Sequence, residues 1–176
     1  MSRRGGYTLI EVSITLAALL VMATFCINLV LSSAKTTLTD ALQLLQVEFI
    51  CLQQQAIACN TAYQVNFLPE RNAYQIIQGE KKILHQLPKT VTFGFISGIK
   101  GPPGKPMNPI KQPIRFENPY PLAAIIQPHG RISSGTVYLK HSSGSIMGAL
   151  TITPHQIAHV RVYLVENKKT WKLLAM

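Results

Sequence analysis

Hydrophobic and polar positions along the chain change their period twice. Residues 12–34 form an apolar run of 23 residues without Asp, Glu, Lys or Arg, and neither Pro nor Gly interrupts it. As a helix rising about 1.5 Å per residue it would reach about 35 Å, enough to cross a bilayer core of about 30 Å. Beyond it, Leu38, Leu42, Leu45, Phe49, Leu52 and Ala56 recur at spacings of four, three, four, three and four. That is the core-facing stripe of a helix, with Asp40, Gln43, Gln46, Gln53 and Gln54 away from it. Asn60-Thr61 reads as its stop. From Ala62 the period becomes two. Tyr63, Val65 and Phe67 alternate with polar residues, and Pro69-Glu70-Arg71-Asn72 reads as a turn before a second strand over 73–78. Further strands are expected over 90–97, 114–116, 123–127, 135–140, 149–153, 160–165 and 170–174, separated by Gly, Pro and Ser.

A helix followed by many short strands predicts an all-β body built around the helix. Residues 35–176 supply 142 residues for it, enough to bury a core. One segment, 98–112, is too rich in Gly and Pro for either period. Gly101-Pro-Pro-Gly-Lys-Pro mimics two collagen triplets, but a triple helix needs many repeats. Gly104-Lys105 is followed by Pro106, where a phosphate-binding loop needs Ser or Thr and then a helix. The segment therefore reads as a positively charged surface loop.

Composition excludes a disordered polymer, since 47% of the 176 residues are hydrophobic. Candidate chemistry is sparse. The five His residues lack companions; His155 and His159 are four apart, but where the pattern is turning into a strand. No Gly-x-Ser-x-Gly elbow occurs, and the seven acidic residues are too scattered for a calcium loop or a paired-carboxylate site. The expectation is a non-enzyme without cofactor or metal. Cys26 lies in the apolar run. Cys51 and Cys59 are eight apart, about 12 Å along a helix and beyond a disulfide's reach of about 7 Å. Both are expected to be buried or partly buried thiols.

Glu11 stands at the mouth of the apolar run, behind Arg3 and Arg4. The two arginines would keep the N-terminus cytoplasmic and send the rest outward. A removable signal peptide with small residues at Ser32-Ser33-Ala34, or an ordinary signal anchor, would fit the basic flank, but neither explains Glu11. A lipoprotein site at Cys26 is disfavoured by bulky Phe25 before it. The stretch Gly5-Gly6-Tyr7-Thr8-Leu9-Ile10-Glu11 resembles the class III leader of type IV prepilins and type II secretion pseudopilins. The resemblance implies that a prepilin peptidase removes residues 1–6 by cutting between Gly6 and Tyr7, and that Tyr7 is then N-methylated. The usual aromatic there is Phe. It places Glu11 at the fifth mature position, where its carboxylate would pair with the N-terminal ammonium of the same or a neighbouring subunit. A lone charge in hydrocarbon costs several kcal/mol, so pairing would favour assembly. Residues 7–34 would be the transmembrane and polymerisation helix, 35–60 its amphipathic continuation, and 61–176 a periplasmic head. The protein would sit in a bacterial inner membrane with a single pass.

A narrower likeness lies in Ala41-Leu42-Gln43-Leu44-Leu45, Gln55-Ala56-Ile57 and Tyr63-Gln64-Val65-Asn66-Phe67. It continues in the run from Gly130-Arg131 to Tyr138-Leu139, in Ala149-Leu150-Thr151-Ile152-Thr153 and in Val160-Arg161-Val162-Tyr163. These resemble the H-type minor pseudopilins of type II secretion and the related T-type fimbrial pilins. The resemblance implies an α+β fold in which a long N-terminal helix, membrane-spanning in its first half, packs on an all-antiparallel, sandwich-like β head. It also implies a structural subunit near the tip of a short filament that helps to export folded proteins. Its partners would be other major and minor pseudopilins and an inner-membrane assembly platform. The alternative is a T-type minor pilin acting in pilus assembly or DNA uptake. Relatives have a Gly-Arg turn before the last strand pair, where this chain reads Ile157-Ala158-His159-Val160-Arg161. Charge keeps that alternative open, because residues 35–176 carry 15 Lys+Arg against 6 Asp+Glu, a net of +9. Arg161, Lys168, Lys169 and Lys172 surround Trp171, and together they could hold phosphates and stack a base. The plainer reading is a solvated basic face with Trp171 in the core.

Overall fold

The computed structural model describes residues 9–102, 108–117, 120–153, 158–166 and 170–174, with the side chains of 9 and 24–32 excepted. The chain divides into two compact units, Met1–Ser33 and Ala34–Met176. A single helix, α1, is drawn over Leu9–Cys59. It stops where the sequence expects. Asn60 takes the left-handed conformation at φ 50°, and the Thr61 N–H reaches back to the Ala56 carbonyl at 3.1 Å. This is the six-to-one bond of a Schellman ending, which satisfies a carbonyl the helix leaves open.

In the first unit, residues 10–23 are exposed throughout. Among the described residues no helix is long and apolar enough to cross a membrane. The run over 12–34 that was expected to do so includes 24–32, and those side chains, Cys26 among them, lie outside the described set.

The second unit is α+β. Its strands are β1 (Tyr63–Leu68), β2 (Ala73–Gln78), β3 (Lys81–Gln86), β4 (Val91–Phe93), β5 (Ile114–Phe116), β6 (Ala123–Ile126), β7 (Gly135–His141), β8 (Ile146–Thr153), β9 (His159–Glu166) and β10 (Lys172–Leu174). They form a four-stranded sheet in the order β3-β2-β1-β6 and a six-stranded sheet in the order β10-β9-β8-β7-β4, with β5 also on β7. Every pairing is antiparallel.

One core joins the helix to both sheets. Leu38, Leu42, Leu45, Phe49, Leu52 and Ala56 are all buried, as their spacing predicts. They meet Val65, Phe67, Tyr74 and Ile76 of one sheet and Val137, Leu139, Leu150, Val162 and Leu164 of the other. Phe67 is the hub: its ring stacks on Phe116 at 5.7 Å and meets Phe93 edge-on at 5.8 Å, with Phe49 at 6.4 Å. Full burial of such side chains is worth about 1.5–3 kcal/mol each. At Gly148 in β8 the fit is close enough to exclude a side chain, since a Cβ there would lie 2.1 Å from Leu42 Cδ1.

Three expectations need correction. Strand β3 was not foreseen. Its residues alternate in no useful way, and it is held as an edge strand by the register Gln78↔Lys81 to Ala73↔Gln86 with β2. Gln46 and Gln53 are not on an open face but buried, because two sheets cover a wider arc of the helix than one stripe. Their amides donate to Val160 O at 2.9 Å and Gly130 O at 2.6 Å, which removes the penalty of burying them. Strand β4 ends at Phe93 rather than running to Ser97. The chain then folds over the outer face of the six-stranded sheet. There Phe95, Ile96, Ile99 and Ile110 build a second small core with Tyr138, Met147, Ala149, Val165 and Trp171. The Gly/Pro segment is therefore a strap, cross-linked by the Gly101 N–H to Asn108 O at 3.1 Å. Its tip, 103–107 with Lys105, lies outside the described residues.

Candidate functional site

The expected processing site, Gly6 and Tyr7, lies outside the described residues. Glu11 is in the first turn of α1, on the end of the helix where backbone N–H groups favour a carboxylate. Around it Ile10, Val12, Ile14, Leu16, Leu19, Leu20, Val21 and Met22 are all exposed, Ile10 by 69% and Met22 by 67%. Large apolar side chains thus stand exposed on every side of this part of the helix.

The opposite end of the sequence is less open than its charge suggests. Arg161 and Lys172 are exposed, while Lys168 and Lys169 lie outside the described residues. Trp171 is half-buried. Its ring meets Tyr138 at 6.4 Å, and its indole N–H donates to the Lys100 carbonyl at 2.9 Å. The indole thus fastens the strap to the sheet, and a base could stack on it only by displacing that contact.

Sequence reasoning missed a polar clasp between helix and sheet. Tyr74 on β2 donates its hydroxyl to the Glu48 carboxylate, and His85 on β3 approaches the other oxygen of Glu48 at 3.4 Å. The Tyr74 and His85 rings stack at 5.2 Å. Burial pushes the Tyr74 phenol far up, and the Glu48 carboxylate adds to that. The only hint in the sequence is a Glu on the flank of the apolar stripe.

A surface cleft of about 310 Å³ is lined by Glu117, Ile125, Gln127, Arg131, Ile132, Ser133 and Ser134. Glu117 accepts a hydrogen bond from Ser134 there. The lining contains no Cys or His. Cys51 and Cys59 are free and exposed rather than buried, since both fall on the arc of α1 that neither sheet covers. His155 lies outside the described residues and His159 is exposed. Among the described residues no three His, Cys, Asp or Glu side chains are grouped to hold a metal ion.

The described residues form a helix, α1, with an apolar start that carries Glu11 in its first turn, and an α+β unit of two antiparallel sheets. No protein-family model matches the chain. No curated protein matches it either. Among solved structures it is similar to the minor pseudopilin EpsH from the type 2 secretion system of Vibrio cholerae. That similarity is 13% in sequence identity with a TM-score of 0.44, over 79% of this chain and 96% of that one.

Proposed function

We propose that this chain is a minor pseudopilin, a non-enzymatic subunit of a type II secretion pseudopilus. One observation carries the reading: the two parts of a single helix have unlike surfaces. Its residues 10–23 expose apolar side chains all round, with Glu11 in the first turn, whereas Leu38–Ala56 form the spine of a two-sheet core. The first part suits a bilayer and then the interior of a filament. The Gly6-Tyr7 leader pattern ahead of it supplies the means of release, with cleavage and N-methylation at Tyr7. Glu11 would act as a register pin, its carboxylate meeting the new N-terminal ammonium of a neighbour. The protein would sit in the inner membrane with its head in the periplasm, beside other pseudopilins on an assembly platform. An H-type position near the filament tip is the finer form of this proposal.

The test is a strain in which Glu11→Gln replaces the native gene. The variant should still reach the membrane and lose its leader, yet protein export should fall to the level of a deletion strain, with cargo held in the periplasm. Normal export from both strains would sink the secretion reading. Intact export with lost DNA uptake would select the T-type pilin alternative, which exposed Arg161 and Lys172 favour.

A further inference from the structure

The outer face of the six-stranded sheet carries a row of side chains that neither the stem nor the core uses. In β7, Val137 and Leu139 point into the core, so Thr136 and Tyr138 point outward. The register pairs Arg115 with Thr136, Thr136 with Thr151, and Thr151 with Arg161. One line therefore crosses β5, β7, β8 and β9 as Arg-Thr-Thr-Arg. At about 4.8 Å per strand its two ends are about 14 Å apart. Both arginines are exposed and both threonines half-buried. On one side the row is bounded by Tyr138, Ala149 and Tyr163, all buried. On the other side the Glu117 N–H bonds to Ser134 O at 3.0 Å, and Thr153 faces His159.

Among the described residues neither guanidinium lies within ion-pair distance of a carboxylate. Glu117, two residues from Arg115, accepts a hydrogen bond from Ser134, and Glu166 at the other end of β9 is paired with Lys35 at 2.5 Å. Two forked cations with a hydroxyl donor between them match an anionic surface.

Two kinds of anion compete, and the surroundings favour one. A nucleic-acid strand would want an open aromatic to stack on, yet Tyr138 and Tyr163 are buried and Trp171 is committed to Tyr138 and Lys100. Two cations about 14 Å apart also make a thin phosphate track. Carboxylates four residues apart on an extended chain lie about 14 Å apart, the span of the row. The geometry points to the Arg115–Thr136–Thr151–Arg161 row as a docking surface for an acidic protein segment. Each arginine takes one carboxylate as a fork, and the Thr136 hydroxyl donates to the chain between, while the Thr151 hydroxyl is turned to the Arg161 carbonyl at 3.4 Å.

The test uses the full-length protein in detergent and follows the anisotropy of a short labelled polyglutamate peptide, with a labelled oligothymidylate of equal charge beside it. Arg115→Gln with Arg161→Gln should weaken polyglutamate binding about tenfold. A control pair, Arg71→Gln with Lys89→Gln, removes the same charge from other exposed positions and should change it less than about twofold. Arg115→Lys with Arg161→Lys should bind better than the Gln pair at an unchanged Tm. The proposal is overturned if polyglutamate does not bind, if the control pair loses as much, or if the Lys pair is no better than the Gln pair. Tighter binding of the oligothymidylate, lost in the Gln pair, would assign the row to phosphodiesters and overturn it as well.

Discussion

Tyr138 shows how a sheet's two faces can both become interior. It points away from the main core, yet the strap covers it to 8% exposure. Burial pushes its phenol up to about 12, and the Arg115 guanidinium pulls the other way. Tyr74 is shifted in the same upward direction by burial and Glu48. The unfolded chain loses these protons near pH 10, whereas the folded protein keeps them. Their stabilisation is therefore complete below about pH 10 and falls as pH rises, the part due to Tyr138 being lost by about pH 12. Urea unfolding at about pH 9 and about pH 11 should show a fall in stability that is smaller in Tyr138→Phe. Tyr74 should account for part of what remains. An equal fall in the variant would mean that Tyr138 titrates normally.

Strands and helix differ in how far their own residues specify them. The stripe from Leu38 to Ala56 is read correctly because burial on one side of a helix repeats every three or four residues. Strand β3 has no such signal, being an edge with Ile83 43% and Leu84 49% exposed. It exists because Gly79-Glu80 turns the chain back in register on β2, with Gly79 at φ +56°. Ile83→Thr should accordingly change unfolding free energy by no more than about 0.5 kcal/mol in denaturant titration. A loss of about 2 kcal/mol would place Ile83 in a buried contact. The buried glutamines make the complementary point: Gln46 and Gln53 look solvent-facing until β9 and the turn at Gly130 bring carbonyls to their amides.

The head is closed by long-range contacts of two kinds. Phe67 ties the four-stranded sheet to Phe93 and Phe116 of the other, so neither sheet keeps a core by itself. The strap then covers the part of the outer face around Tyr138, Met147 and Val165, with Trp171 hydrogen-bonded to Lys100 in its middle. Trp171→Ala should speed amide hydrogen exchange in the strap, notably at Gly94, Ile99 and Gly101, which bond within it or to β7. Exchange in the centre of β8 should stay slow. Unchanged protection in the strap would show that Phe95, Ile96 and Ile99 hold it without the indole.

The helix stripe, the helix stop and most strand positions were determined by the sequence itself, because each depends on a repeat of two to four residues or on one residue's φ preference. Glu11 was singled out in the same local way, by its place against an uncharged run. Folding alone decided the rest. The Glu48–Tyr74–His85 clasp, the strap and its Trp171 fastening, the exposure of Cys51 and Cys59, and the arginine row each join or separate residues far apart in the chain. No local period encodes such contacts. They follow from strand register and from which arc of the helix the sheets cover, and both are set by the packing of the whole core.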